Sequence, residues 1–219
     1  VAQALVIAPA SAATIARLAQ GQADELLACQ ALAFRGKAVI APAMNPAMWS
    51  HPATQGNIAT LRERGCAVVE PGCGRTACGE EGQGRLADLR EIYLAGLRAL
   101  APQDMEGIRV MVTLGPTREH WDGLRFWTNP STGTMGAAVA VAAWLRGARV
   151  EAVCGPGTPW LPAGIARHNV GSARHMLEAA ASVWPQCDAG VFTAAVADFS
   201  PVPPAQGGDK KFKKSDAPD

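Results

Sequence analysis

The 219-residue chain has little charge: 18% of its residues are Asp, Glu, Lys or Arg, and the formal net is +1. Such a balance leaves no broad basic surface, which excludes the usual nucleic-acid binder. No apolar run reaches the roughly 18 to 20 residues of a membrane span. Hydrophobic residues still make up 48% of the chain, which argues against wholesale disorder. There is no GxGxxG, so a nicotinamide oxidoreductase is disfavoured. There is no Gly-Lys-Ser/Thr either, so no Walker A loop. The six cysteines form no CxxC pair, and the spacing of Cys66, Cys73 and Cys78 matches no common zinc pattern. The four histidines form no close pair on one helix face, so no metal site is expected from them. A signal peptide is missing too, and a long chain rich in Ala and Val is no disulfide scaffold. Reduced thiols and a cytoplasmic location are expected. Lysine is nearly absent until the end: of five, Lys210, Lys211, Lys213 and Lys214 fall in the last ten residues. The chain also begins at Val1 instead of a methionine, which suggests a piece of a longer protein.

What is present is an alternation of short apolar runs with longer helical stretches. Strands are expected at 4–8, 38–41 and 66–69, the first continuously apolar as in a strand covered on both faces. Helices are expected from a Ser11 cap to Ala19, from 24 to 33, from 51 to 64 before Gly65, and from an Asp88 cap to Leu100. Pro102, Gln103, Asp104 and Gly107 break the pattern, so 102–107 is expected to link two domains, 1–101 and 108–219. The second half repeats the alternation. Strands are expected at 109–113, 150–153 and 189–194, with helices at 135–146 and from Ser172 to Val183. The fold class is α/β, as two parallel-sheet, Rossmann-like three-layer domains in tandem, both expected to be incomplete. In such sheets ligands sit at the carboxyl ends of strands.

Each chemical motif follows a strand. Ser11 and Thr14 open the first helix, where they and free N–H groups suit a phosphate or polar ring edge; an ordinary N-cap is the alternative. Asn45 offers a donor and an acceptor for a carboxylate or amide, walled by Met44, Met48 and Trp49; an Asn-Pro turn is the alternative. The stretch 72–85 holds five glycines and reads as a loop able to fold over a ligand, with Cys78 as a thiol near Arg75 and Arg85. The alternative is a surface loop with an idle cysteine. Gly115 begins a long βα connection, and the small residues around Asn129 and Gly133 open a helix fit to seat a phosphate. Asp198 ends the last strand, and its pairing with the lysine cluster suits a nucleotide triphosphate and magnesium. A solvated tail is the alternative for the lysines. His51 is expected to cap or pack.

Together these motifs resemble the bifunctional phosphopantothenoylcysteine decarboxylase/phosphopantothenate–cysteine ligase family of coenzyme A synthesis. The first half carries PASANT at 9–14, with Ala13 for Asn, the complete PxMNxxMW at 42–49, and ACGxxGxGR at 77–85. The second half carries GPTRE at 115–119, a variant of SNxSSGKMG at 128–136, AVAD at 195–198 and KxKK at 211–214. The resemblance implies two activities. One is CTP-dependent ligation of 4′-phosphopantothenate to cysteine, with Mg2+. The other is FMN-dependent decarboxylation of 4′-phosphopantothenoylcysteine to 4′-phosphopantetheine, in which thiol oxidation activates the carbon that loses CO2. It implies Cys78 as proton donor, Asn45 as holder of the substrate carboxylate, and Ser11, Thr14 and Met44 near FMN. It further implies that Asn129 contacts the acyl cytidylate. Gly115, Phe192, Thr193, Ala194 and Asp198 line the nucleotide site, and Lys211 neutralises the phosphates. A homo-oligomer is implied as well; no nucleic acid and no membrane are.

The family's catalytic histidine is expected N-terminal to Val1, and the rest of the ligase domain beyond Asp219. Three more positions depart from the pattern. Thr134 stands for the family's Lys and loses a charge, whereas Thr128 and Thr132 stand for Ser and keep the hydroxyl. Thr134 and Ala13 support an alternative, a non-catalytic or impaired flavin- or nucleotide-binding relative.

Overall fold

The computed structural model describes residues 2–75 and 79–202. They form two compact units, 1–102 and 103–219.

The first unit holds a parallel sheet of β1 (Ala4–Ala10), β2 (Lys37–Pro42) and β3 (Ala67–Val68), with β2 in the middle. In β2 the last four residues, Val39 to Pro42, are all buried, because the strand has a neighbour on each edge and helices on both faces. One face carries α1 (Ala12–Gln20) and α4 (Pro52–Glu63). Ile15 and Ala19 of α1 and Ile58 and Leu61 of α4 recur at helical spacing and bury with Ile7 and Ile40 in one core. The other face carries α5 (Leu89–Leu100), whose Ile92 packs with Ala41 and Ala87. Gly21 ends α1 in the left-handed conformation, φ 69°, and its N–H satisfies carbonyls of the last turn. The α2 helix (Leu26–Ala33) starts two residues later than expected and has no side-chain cap.

The second unit is a four-stranded parallel sheet in the order β10 (Ala166–Asn169), β9 (Arg149–Cys154), β6 (Arg109–Leu114), β11 (Ala189–Phe192). Alternation along β6 decides the layers. Val110, Val112 and Leu114 face α6 (Thr134–Leu145), and Met111 faces α7 (Ala173–Val183). Small residues line the buried stripe of α6, namely Gly136, Ala137, Ala140 and Ala143, which lets the helix lie close to the sheet. Residues 103–106, expected as linker, pack with this unit. Gln103 Nε2 donates to the Leu145 carbonyl at 3.0 Å, Asp104 pairs with Arg146, and Met105 touches the core.

Strand and helix do not simply alternate. The stretch 72–85, expected as a loop, contains the antiparallel pair β4 (Gly72–Arg75) and β5 (Glu81–Arg85). The 114–134 connection contains a second antiparallel pair, β7 (Glu119–His120) and β8 (Phe126–Trp127). Glycine-rich and two-residue strands carry little strand propensity, so sequence periodicity passes over them. The edge strand β10 was also not expected: its sequence, ARHN, is polar, as an edge strand can be. The 66–69 and 189–194 runs give shorter strands than expected, 67–68 and 189–192.

Candidate functional site

In both units the predicted residues gather at the carboxyl end of the sheet, because parallel strands send every strand-to-helix turn the same way. In the first unit, Ala10 pairs with Pro42, and the Ala43 N–H donates to the Ala10 carbonyl at 3.0 Å. The turns carrying Ser11 and Asn45 are therefore neighbours. Ser11 caps α1: its Oγ accepts from Thr14 N–H at 3.2 Å and lies 3.0 Å from Thr14 Oγ1. Asn45 caps the short α3 (Pro46–Ser50), with Oδ1 accepting from Ala47 N–H at 2.7 Å. His51 caps α4 through Nδ1, which accepts from Ala53 N–H at 3.1 Å. All three are caps first; a ligand would meet side chains already aimed by helix geometry. Met44 is half-buried against the core, and Trp49 is buried.

The β4–β5 hairpin docks on this turn. Met44 N–H donates to the Gly84 carbonyl at 2.9 Å. At Gly84, φ is 155°, and a Cβ would lie 2.3 Å from the Met44 carbonyl oxygen. Only glycine permits that approach. Gly82, two residues earlier and on the same face, would place a Cβ 2.9 Å from Pro46. The sequence reading missed these docking glycines; their signal is the i, i+2 spacing in Gly82-Gln83-Gly84. Cys78 lies outside the described residues, between the hairpin's strands in sequence. Cys66, the described thiol of this unit that burial pushes up with only partial offset by Arg64, precedes β3 and so lies at the amino end of the sheet, away from these turns.

In the second unit the sheet order changes direction between β6 and β11, the position where open α/β sheets bind ligands. Gly115 leaves β6 there, and its carbonyl accepts from Ala195 N–H at 2.9 Å. Thr193 is held by Thr113, whose carbonyl takes both its N–H at 3.0 Å and its Oγ1–H at 2.7 Å. Phe192 is exposed with its ring 6.3 Å from that of Trp184, Ala194 packs beneath, and Asp198 is exposed. Asn129 Nδ2 donates to the Val196 carbonyl at 2.9 Å. Gly155 closes the far side: a Cβ would lie 1.8 Å from the Pro116 carbonyl oxygen. Lys211 lies outside the described residues. Thr134 begins α6 with its hydroxyl 2.8 Å from that of Thr132.

Sequence reasoning passed over two buried polar groups here. Glu119 accepts from Ala173 N–H at 2.8 Å, adding an acceptor at the start of α7. Thr117 is fully buried between loops. Both lie inside or beside the Gly115–Glu119 motif, which was the available signal. Among the described residues no group of three or more His, Cys, Asp or Glu side chains is placed to hold a metal ion. No described helix is long and apolar enough to cross a membrane.

Two family models match this chain, one in each half. The family model for the DNA/pantothenate metabolism flavoprotein C-terminal domain matches residues 105–218, and the flavoprotein model matches residues 1–96. The coenzyme A biosynthesis bifunctional protein CoaBC of Bacillus subtilis (strain 168) is 43% identical over 219 residues, 98% of this chain and 53% of that protein. This chain belongs to the DNA/pantothenate metabolism flavoprotein family. The same-named protein of Mycolicibacterium smegmatis is 44% identical over 216 residues, 96% of this chain and 52% of its own. The chain thus spans about half the length of the curated family members it matches. Among solved structures, the C-terminal domain of a family member is 44% identical, covering 44% of this chain and 49% of its own, with a TM-score of 0.42. Ser11, Thr14, Met44 and Asn45 all lie within the part of the chain that the flavoprotein model matches.

Proposed function

We propose that the protein works in coenzyme A synthesis and carries parts of two active sites. One performs FMN-dependent decarboxylation of 4′-phosphopantothenoylcysteine in the first unit. The other performs CTP-dependent ligation of 4′-phosphopantothenate to cysteine in the second. One observation carries this reading: each unit gathers its own set of motif residues at the carboxyl end of its own parallel sheet.

In the first unit Ser11 and Thr14 would hold FMN at the start of α1, where hydroxyls and helix N–H groups converge. The fit is supported by the buried, side-chain-free contact of Gly84 with Met44, which keeps the hairpin close over the turn. When bound, FMN supplies the redox chemistry. Asn45, its Oδ1 oriented by the α3 cap, orients its amide for the substrate carboxylate. Cys78 delivers the proton to the product carbon.

In the second unit Gly115, Phe192, Thr193, Ala194 and Asp198 line the nucleotide site, and Asn129 meets the acyl cytidylate. Magnesium would be held by the triphosphate and Asp198, as is usual for a metal that keeps few protein ligands. Lys211 neutralises charge on the phosphates as cysteine's amine displaces CMP. A homo-oligomer belongs to the same reading, supported by Leu26 and Leu32 of α2, 74% and 63% exposed. A cytoplasmic location does too, and the five described cysteines are free thiols.

The test uses intact protein given FMN. Release of CO2 from 4′-phosphopantothenoylcysteine, and of pyrophosphate from CTP with 4′-phosphopantothenate and cysteine, is expected. Silence in either assay sinks that half. A second reading, an impaired binding relative, is favoured by Thr134, whose hydroxyl bonds to Thr132 where the family's pattern has a charge. Binding of FMN and CTP without turnover would select it.

A further inference from the structure

Three segments of the second unit meet at one buried side chain. Thr117 lies three residues past β6 and is 0% exposed. Its N–H donates to the Ala195 carbonyl at 3.3 Å. Its Oγ1 accepts from the Ala197 N–H at 2.9 Å. Its carbonyl accepts from Thr128 Oγ1 at 2.6 Å. The residue after Thr128 is Asn129, whose amide reaches back to Val196, at 2.9 Å. The 195–197 segment is thus gripped from two sides, and the next residue is Asp198.

Such a clasp does more than fill space. A segment leaving the last strand of a sheet has no ladder to continue, and its backbone groups need other partners. At 195–197 those partners belong to the two other segments of the same candidate site. The Ala197 N–H depends on one hydroxyl, and that hydroxyl belongs to a fully buried residue.

We propose that Thr117 is a positioning residue for the nucleotide step: its hydroxyl, through Ala197, fixes the segment that carries Asp198 beside the β6 exit, while its carbonyl fixes Thr128 and Asn129. The proposal rests on the CTP reading of the second unit. Thr117 itself touches no reacting atom in it.

Thr117→Val keeps shape and removes the hydroxyl; Thr117→Ala removes it without adding bulk, should valine not fold; Thr117→Ser restores it. Binding of CTP with Mg2+ by intact protein is measured by calorimetry, beside circular dichroism as a check of fold. The hydroxyl-free variants are expected to weaken CTP about tenfold, the scale of one buried hydrogen bond. Thr117→Ser should stay within about twofold of the parent. In a double-mutant cycle with Asp198→Asn, the losses should overlap instead of adding, because Thr117 acts through the segment bearing Asp198. Undiminished CTP binding by folded Thr117→Ala, equal loss in Thr117→Ser, or fully additive losses would each overturn the proposal alone. If the parent itself binds no CTP, the nucleotide reading fails and the proposal falls with it.

Discussion

At the first sheet's carboxyl end, the polar atoms belong to helix caps: the exposed Ser11 on α1 and His51 on α4, and the half-buried Asn45 on α3. At the second sheet's carboxyl end they belong to a clasp around the buried Thr117, joined by Thr128 and Ala197 and backed by glycines packed against backbone. Caps are local and separable, each worth about 1 kcal/mol. The clasp joins residues about 80 positions apart, as the Thr117–Ala197 bond does. The first site should therefore tolerate single losses that the second does not. The exception in the first unit is Gly84, where the hairpin meets the Met44 turn.

The largest effect is expected at Gly155→Ala. Its Cβ would stand 1.8 Å from the Pro116 carbonyl oxygen, and backbone cannot swing aside as a side chain can. A loss of about 3 kcal/mol is expected in urea unfolding followed by tryptophan fluorescence. That signal reports mainly the second unit, because five of the six tryptophans lie there. A loss under about 1 kcal/mol would erase the contrast between the units. Gly84→Ala comes next, at about 2 kcal/mol, with faster hydrogen exchange at the Met44 amide as the hairpin lifts. Unchanged exchange would mean that the hairpin is not held there.

Asn45 separates the cap from the chemistry. Asn45→Ala should cost about 1 kcal/mol of stability, whereas Asn45→Asp keeps the capping oxygen and should cost almost nothing. The same Asp should lower FMN-dependent decarboxylation on the order of 100-fold, since it sets a negative charge against the substrate carboxylate. Equal activity in Asn45→Asp and the parent would leave Asn45 a cap alone.

The smallest effect concerns acid. Hydrogen bonds from the Arg90 side chain and backbone hold Asp88, the α5 cap, down at about 2, against an ordinary value of about 3.9. A depressed carboxyl stabilises the fold at pH above its unfolded value, and the contribution is lost as pH falls toward about 2. Solvent around this exposed cap keeps the effect slight. Carbon-13 titration should place the Asp88 midpoint well below the ordinary carboxylate value of about 3.9, and a midpoint at that value would refute the cap's grip.

The caps were legible because a capping residue and its partner lie within three positions: Ser11, Asp88 and Ser172 could be named before any fold was known. The strands β2 and β6 were legible because strands buried on both faces are continuously apolar. The apolar run of β1 placed that strand too, but not its expected cover on both faces: Val6 is 44% exposed. The polar edge strand β10 and the two hairpins were not, since glycine, charge and two-residue lengths give periodicity nothing to register. The motif residues could be listed from sequence, but not which atoms they spend on one another. Thr193 reads as a nucleotide contact, yet its hydroxyl bonds to the Thr113 carbonyl at 2.7 Å.

The sequence by itself determined the α/β class, the capped helix starts at Ser11, Asp88 and Ser172, and the family, because these depend on short-range patterns and residue identity. Tertiary structure decided that Thr117 clasps Ala197 and Thr128, that Gly84 meets Met44, and that Gly155 abuts Pro116. Those contacts join segments distant in the chain. Their geometry follows from strand order and register, which bring the carboxyl ends together only once the sheets have formed.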